Sequence, residues 1–241
     1  MSTRKDGQEN PKLPARRTLS PLIQLRRRVR RILNGLARLY PDAKCALHFD
    51  GPLQLLVATI LSAQCTDRQV NLVTPALFAR YPDAQAFANA KQAELEKMIQ
   101  SIGFFRSKAR NLIACCKELV AKHGGAVPST MDELVSLAGV GRKTANVVLG
   151  NAFGVPGIPV DTHMRRLSQR MALTVHTDPV KIECDLMLLV PKKEWTRFGH
   201  RMIHHGRVIC HSRRPLCEQC SLAKQCPQVG VGKLPAEESC A

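Results

Sequence analysis

Leu137-Ala138-Gly139-Val140-Gly141-Arg142-Lys143-Thr144-Ala145 joins two apolar segments, and its reading organises the rest of the chain. Gly139 and Gly141, two apart, permit positive φ and a close backbone approach. Ser129 and Thr130 precede Met131 to Leu137, with Glu133 three residues after Thr130, the capping-box pattern that opens a helix. Beyond the glycines a second helix is predicted over 142–152. The stretch therefore reads as helix, hairpin, helix over 131–152. The first amides of the second helix have no intrahelical partner and point toward the hairpin. Such a helix start favours an anion, and DNA phosphate is an obvious one. A bare Gly-x-Gly would be no more than a turn between packed helices.

Outward from the hairpin the chain reads as helix upon helix. Apolar residues recur at helical spacing from Leu22 to Leu39, with Arg26, Arg27, Arg28, Arg30 and Arg31 between them, which predicts a basic amphipathic helix. Pro52 suits the first turn of an apolar helix through Leu61. Further helices are predicted over 67–78, near 84–90, 91–101 and 106–122, the last stopping at Gly124-Gly125. Segments near 163–173, 178–188 and 192–209 complete the set. No strand with period-two alternation is evident. The fold class predicted is all-α, built from many short helices.

The length of 241 residues allows one large domain or two small lobes. No apolar run is long enough to span a bilayer, and the N-terminus has no apolar segment before a small-residue cleavage site. No membrane partner is expected. The formal net charge is +17, and the first 31 residues carry ten Lys/Arg against Asp6 and Glu9. A polyanion is the natural partner, with nucleic acid the first candidate. A solubilising basic surface or an anionic membrane is the blander reading. Residues 1–21 are polar, with Pro11, Pro14 and Pro21, and read as a disordered basic tail. One Trp and two Tyr argue against a stacking platform for single strands.

Three constellations carry chemistry. Lys143 falls in the first turn of the second hairpin helix, where the helix terminus and Arg142 both disfavour a further positive charge. That suits an amine nucleophile able to form a Schiff base. Pairing with phosphate explains the lysine equally well. Eighteen residues on, Val160-Asp161-Thr162-His163 precedes an apolar-periodic helix. Asp161 suits an ordinary N-cap, and a capping carboxylate can also be aimed into a cleft. Finally, Cys210-x6-Cys217-x2-Cys220-x5-Cys226 places four thiolates within seventeen residues, a spacing open to iron–sulfur or zinc. Without a secretory signal, metal or redox use outweighs disulfides. Cys45, Cys65, Cys115, Cys116, Cys184 and Cys240 lack such spacing and read mostly as small buried hydrophobes.

Together the hairpin string, the V-D-T-H string and the four-cysteine tail resemble the endonuclease III family, bifunctional DNA glycosylases and apurinic-site lyases, over about Arg31 to Gln228. The resemblance implies a two-lobed helix–hairpin–helix glycosylase fold. A six-helix barrel lobe would cover 44–156. A lobe carrying a [4Fe–4S] cluster on Cys210, Cys217, Cys220 and Cys226 would join 22–43 to 157–241. It implies Lys143 as nucleophile and Asp161 as its carboxylate partner, acting on an oxidised pyrimidine flipped from the duplex. The implied partner is double-stranded DNA with damaged pyrimidines or abasic sites, bound by a monomer. The place of action would be cytoplasm or nucleoid in a bacterium, nucleus or mitochondrion in a eukaryote.

The same resemblance assigns DNA contacts. Gly139, Val140, Gly141, Arg142, Thr144 and His163 would contact DNA, the helix-start amides through phosphate. Arg213 and Arg214, between the first two cluster ligands, would do so too. In the family the loop Leu61-Ser62-Ala63-Gln64-Cys65-Thr66-Asp67 supplies a residue that fills the gap left by the flipped base, here Gln64, which on its own is also an unremarkable turn residue. Ile102-Gly103-Phe104-Phe105, beside Arg106 and Lys108, suits a wedge between base steps. Phe104 is the favoured wedge, while Phe105 reads equally as a helix–helix elbow. Phe104 stands where Leu is frequent, Val135 where Glu is frequent and Ala138 where Pro is frequent, and Cys65 is a further local change. Rival readings are an adenine-specific mismatch glycosylase, a non-enzymatic iron–sulfur DNA-binding or redox-sensing protein, and a weakly active paralogue. Lys143 argues against the first.

Overall fold

A computed structural model describes residues 20–232. The first nineteen residues of the expected tail, and Cys240, lie outside them. Eleven α-helices and three short 3₁₀ turns run in chain order among the described residues, with no strand. α1 (Pro21–Leu39) starts on proline, whose fixed φ suits a first turn. Val29, Ile32, Leu33 and Leu36 form its buried stripe. α2 (Pro52–Leu61) is buried throughout from Leu55 to Leu61. α3 (Asp67–Arg80) is capped by Thr66, whose hydroxyl accepts the Gln69 amide at 3.2 Å. α4 (Ala84–Ala88), α5 (Gln92–Met98) and α6 (Phe105–His123) follow, α6 ending at Gly124 in the left-handed region.

The predicted hairpin forms. In α7 (Met131–Ser136) the Thr130 hydroxyl accepts the Glu133 amide and itself donates to the Glu133 carboxylate, closing the capping box. Gly139 has φ +75°, and a Cβ there would sit 2.8 Å from the Asn111 Cβ, so both conformation and space require glycine. Gly141 has ordinary φ of −92° and open space around it. Only one of the two glycines uses left-handed backbone. The other keeps the entry to α8 (Arg142–Ala152) bare, and no side chain caps that helix.

The apolar residues gather into two cores. The first joins α2–α8 around Leu55, Leu61, Leu77, Phe87, Leu112 and Val148. The second joins α1 to α9 (Thr162–Arg170), α10 (Pro179–Leu189) and α11 (Trp195–Val208) around Ile32, Leu36, Leu167, Leu186, Phe198 and Met202. Polar side chains tie one core to the other. Arg142 of α8 makes a two-point ion pair with Glu183 of α10, at 2.6 and 3.0 Å. His200 of α11 donates from Nε2 to Asn151 Oδ1 of α8 at 2.8 Å. Arg207 of α11 reaches Asp67 of α3 at 2.7 Å.

Candidate active site

A cleft of ≈ 870 Å³ opens where the two sets of helices meet. Lys143, from the bare first turn of α8, and Asp161, from the start of α9, both line it. Asp161 caps α9, with Oδ1 accepting the Met164 amide at 2.7 Å. The cap fixes one carboxylate oxygen and leaves Oδ2 for the cleft. Asp161 is thus an N-cap that also lines the cleft. Asp67, His200 and Arg207 also line the cleft. Burial holds His200 below the usual imidazole range. His163, two residues after Asp161, is half-buried against Gly206, and its Nδ1 meets the Arg166 guanidinium at 3.2 Å. Desolvation pushes its pKa down, while the Asp161 carboxylate works in the opposite direction.

Two loops lie beside each other next to this region. Gln64 is exposed, with φ +52°, and Phe104 is 65% exposed, with φ +58°. Left-handed backbone is uncommon for residues other than glycine and recurs at functional sites. A Cβ on Gly103 would lie 3.6 Å from the Gln64 carbonyl oxygen, so the loops are in contact. Ile102 is 1% exposed and belongs to the first core, so its side chain anchors the loop and presents nothing outward. Val140 is likewise a core side chain. For both, only the backbone is left to meet a ligand. Phe105 is half-buried against the same core, the elbow reading. The Arg142 side chain has a structural partner as well, its Nε and Nη2 donating to the carboxylate of the buried Glu183. Thr144 is partly buried in the first turn of α8.

Cys210, Cys217, Cys220 and Cys226 line a single small void, walled also by Met171, Ile209 and Leu216. Burial raises the Cys220 and Cys226 thiols, and the neighbouring cysteines of the ring raise them further. Arg170 donates to Cys210 Sγ at 3.3 Å and to the His211 and Ser212 carbonyls at 2.6 and 2.7 Å. Arg166 donates to the Cys210 carbonyl at 2.9 Å. Arg28 of α1 donates to the Met171, Ala172 and Gln225 carbonyls. Tyr40, His205 and Cys220 form a chain, with Tyr40 Oη 2.8 Å from His205 Nδ1 and His205 Nε2 3.5 Å from Cys220 Sγ. Arg213 and Arg214 are exposed on the loop so held. Among the described residues no three His, Cys, Asp or Glu side chains are arranged to hold a single metal ion. The three clamping arginines have no sequence signal that separates them from the surrounding basic residues.

An all-α chain with a glycine hairpin at the mouth of an interlobe cleft has the architecture of the helix–hairpin–helix base excision DNA repair proteins. Residues 57–192 match the HhH-GPD superfamily of base excision DNA repair proteins. An endonuclease III of Synechocystis is 53% identical over 210 residues, covering 87% of this chain and 96% of that protein. The Bacillus subtilis endonuclease III is 44% identical over 195 residues, covering 80% and 89%. Two solved structures, a trapped endonuclease III–DNA covalent intermediate and a non-covalent endonuclease III–DNA complex, each superpose with a TM-score of 0.81 at 45% identity. Both cover 84% of this chain, and 96% and 95% of their own. The chain belongs to the endonuclease III family. It is a base excision repair DNA glycosylase of the bifunctional glycosylase and apurinic-site lyase type.

Proposed function

We propose that the protein removes oxidised pyrimidines from double-stranded DNA and then cleaves the abasic strand, with Lys143 as nucleophile and Asp161 as its carboxylate partner. The observation that carries this reading is that both side chains, from different helices, line one cleft. The damaged nucleotide enters that cleft flipped from the duplex. The Lys143 amine attacks C1′ of the sugar as the C1′–N bond to the base breaks, and the departing base takes up a proton. Asp161, with Oδ1 held by the Met164 amide, faces the positive charge that develops on the sugar and assists proton transfer. Expulsion of the ring oxygen from C1′ leaves a Schiff base, which makes the 2′-proton acidic. Its loss expels the 3′-phosphate by β-elimination. Gln64 fills the gap in the duplex and Phe104 wedges beside it. The bare amides of α8, with Arg213 and Arg214, hold phosphate. The site is complete within one chain, which supports a monomer. The bacterial relatives support action in the cytoplasm, on the nucleoid.

The four cysteines fit a [4Fe–4S] cluster. Four partly buried cysteines gather around one void, and burial together with the neighbouring cysteines raises the Cys220 and Cys226 thiols, a cost that a positive metal centre would offset. They line the wall of one void, and the family resemblance favours a [4Fe–4S] cluster over zinc there. When bound, the cluster would staple the C-terminal loop; the base-removal chemistry needs none of it. A broad visible absorption band distinguishes it from zinc, which has none.

The test is borohydride trapping on a duplex carrying thymine glycol. A covalent protein–DNA adduct is expected, and it disappears in Lys143→Ala. A protein that binds the duplex and yields no adduct would sink the lyase reading.

A further inference from the structure

Lys108, in the first turn of α6, is 5% exposed, the only buried lysine among the described residues. An ammonium this far from water requires fixed acceptors. It finds them at the end of α2, donating to the Leu61 carbonyl at 2.9 Å and the Ala63 carbonyl at 2.6 Å. Those are carbonyls that a helix end leaves without partners, at the negative end of its dipole. Burial pushes the pKa of this amine down, and the neighbouring Cys65 works in the opposite direction. The backbone amide of Lys108 meanwhile donates to the Phe104 carbonyl at 3.1 Å. The side chain thus ties the loop that carries Gln64 to the first turn of α6, whose ordinary helical hydrogen bond starts from Phe104. Both of those residues sit in left-handed backbone, a conformation that persists only where the surroundings over-determine it. Gly103 brings the loops into contact, and Gln69 Nε2 donates to Ser101 Oγ at 2.9 Å across the same seam.

We infer that Lys108 is a positioning residue for base eviction: it locks the Gln64 and Phe104 loops into one preformed unit that enters the duplex as the damaged base leaves. The inference rests on the assignment of Gln64 as the residue that fills the gap. It predicts a separation of steps that a general structural role would not produce. A substrate whose base must be evicted needs the unit, and a preformed abasic site, with no base to evict, needs it far less.

The experiment is a double-mutant cycle of Lys108→Met and Gln64→Ala in the full chain. It is read on two substrates, with melting temperatures recorded for every variant. Base removal from a thymine glycol duplex is measured as kcat/KM. Schiff-base trapping is measured on a duplex with a preformed abasic site. Losing charged-donor hydrogen bonds to two carbonyls is expected to lower base removal by K108M about tenfold or more. Trapping on the abasic duplex stays within about threefold of wild type, and in the Q64A background K108M costs less than about threefold on either substrate, because coupled sites do not add. Lys108→Arg, whose guanidinium keeps several donors, restores most of the base-removal rate. Equal losses on both substrates, full multiplicativity with Q64A, or an unaffected K108M would each overturn the inference. If K108M does not fold, Lys108→Gln replaces it under the same criteria. If Q64A leaves base removal unchanged, the Gln64 assignment falls and this inference with it, while the Lys143 adduct on abasic DNA still reports on the lyase reading.

Discussion

Asp161 Oδ1 caps α9 while the rest of the carboxylate faces the cleft, and one substitution separates the two tasks. Asparagine caps a helix about as well as aspartate but brings no charge and takes up no proton. Asp161→Asn is therefore expected to melt with the wild type and to lose base removal by about 10²-fold or more, the scale of a missing general acid or base. Asp161→Ala should add a loss of about 1 kcal/mol of folding stability, measured by chemical denaturation. A D161N enzyme of wild-type rate would leave Asp161 as a cap only. The capping role was legible in the sequence because an Asp before an apolar-periodic segment has a local cause. The same holds for Thr130 and Glu133. Lys108 was not legible in this way. A lysine after Arg106 and Ser107 looks like one more cation beside a loop, and the two carbonyls that bury it lie 45 and 47 residues away in the chain.

Between helices, the arginine at the start of α8 has a duty beyond the one its position suggests. The family resemblance implies a DNA contact for Arg142, and the structure adds an ion pair within the fold. Its partner, Glu183, lies on α10, and Asn146 Nδ2 donates to the same carboxylate at 3.0 Å. Sequence could show a basic residue and an acidic one 41 positions apart. It could not show that packing the two cores together would bury the acid against the arginine. Replacing Arg142 with Met leaves Glu183 buried with one amide partner. Breaking a buried pair from one side costs about 3–5 kcal/mol, and the half-exposed guanidinium places this case lower, at roughly 2 kcal/mol. Denaturant unfolding measures it, and Arg142→Met with Glu183→Leu should recover most of the loss. A loss that persists in the double variant would mean that the pair is not its source. The helices are also tied by His200, which donates to Asn151. Burial lowers the folded pKa of His163, His200 and His205, the last to about 4. The unfolded chain then binds more protons than the folded one as pH falls below the ordinary imidazole value. Stability is complete above about pH 6.5 and declines as pH falls through that value toward the folded pKa values. His200→Gln keeps a donor to Asn151 and removes one titration, so it should flatten part of this decline in denaturation curves taken from neutral to acid pH. A decline as steep as the wild type's would assign the effect to the other two.

For the molecule as a whole, the all-helical class, the hairpin and the helix order were readable from 3.6-residue periodicity, caps and glycines, because each has a cause within a few residues. The distribution of its positive charge among tasks was not. Arg166 and Arg170 point inward onto carbonyls of the cysteine-bearing segment, Arg28 ties that segment's Gln225 carbonyl to those of Met171 and Ala172, and Arg142 is paired, so these four cations hold the fold together. Arg213 and Arg214 are exposed, and they sit on a loop whose backbone Arg166 and Arg170 clamp at Cys210, His211 and Ser212. A rigid loop presents charge to a polyanion without losing much conformational freedom on binding. Each cation that neutralises a phosphate releases counterions, and log K falls with log salt by about 0.9 per contact on duplex DNA. Replacing both arginines with glutamine should therefore lower the slope by about 1–2 units between roughly 50 and 200 mM salt. Fluorescence anisotropy on an undamaged duplex measures this, and the melting temperature should stay unchanged because neither side chain holds the fold. Arg142→Met makes the opposite pair of predictions, with stability reduced and the slope kept. If the Arg213 and Arg214 variants kept the wild-type slope while Arg142→Met lost a unit, the phosphate contacts would lie at the hairpin and the cysteine loop would face solvent.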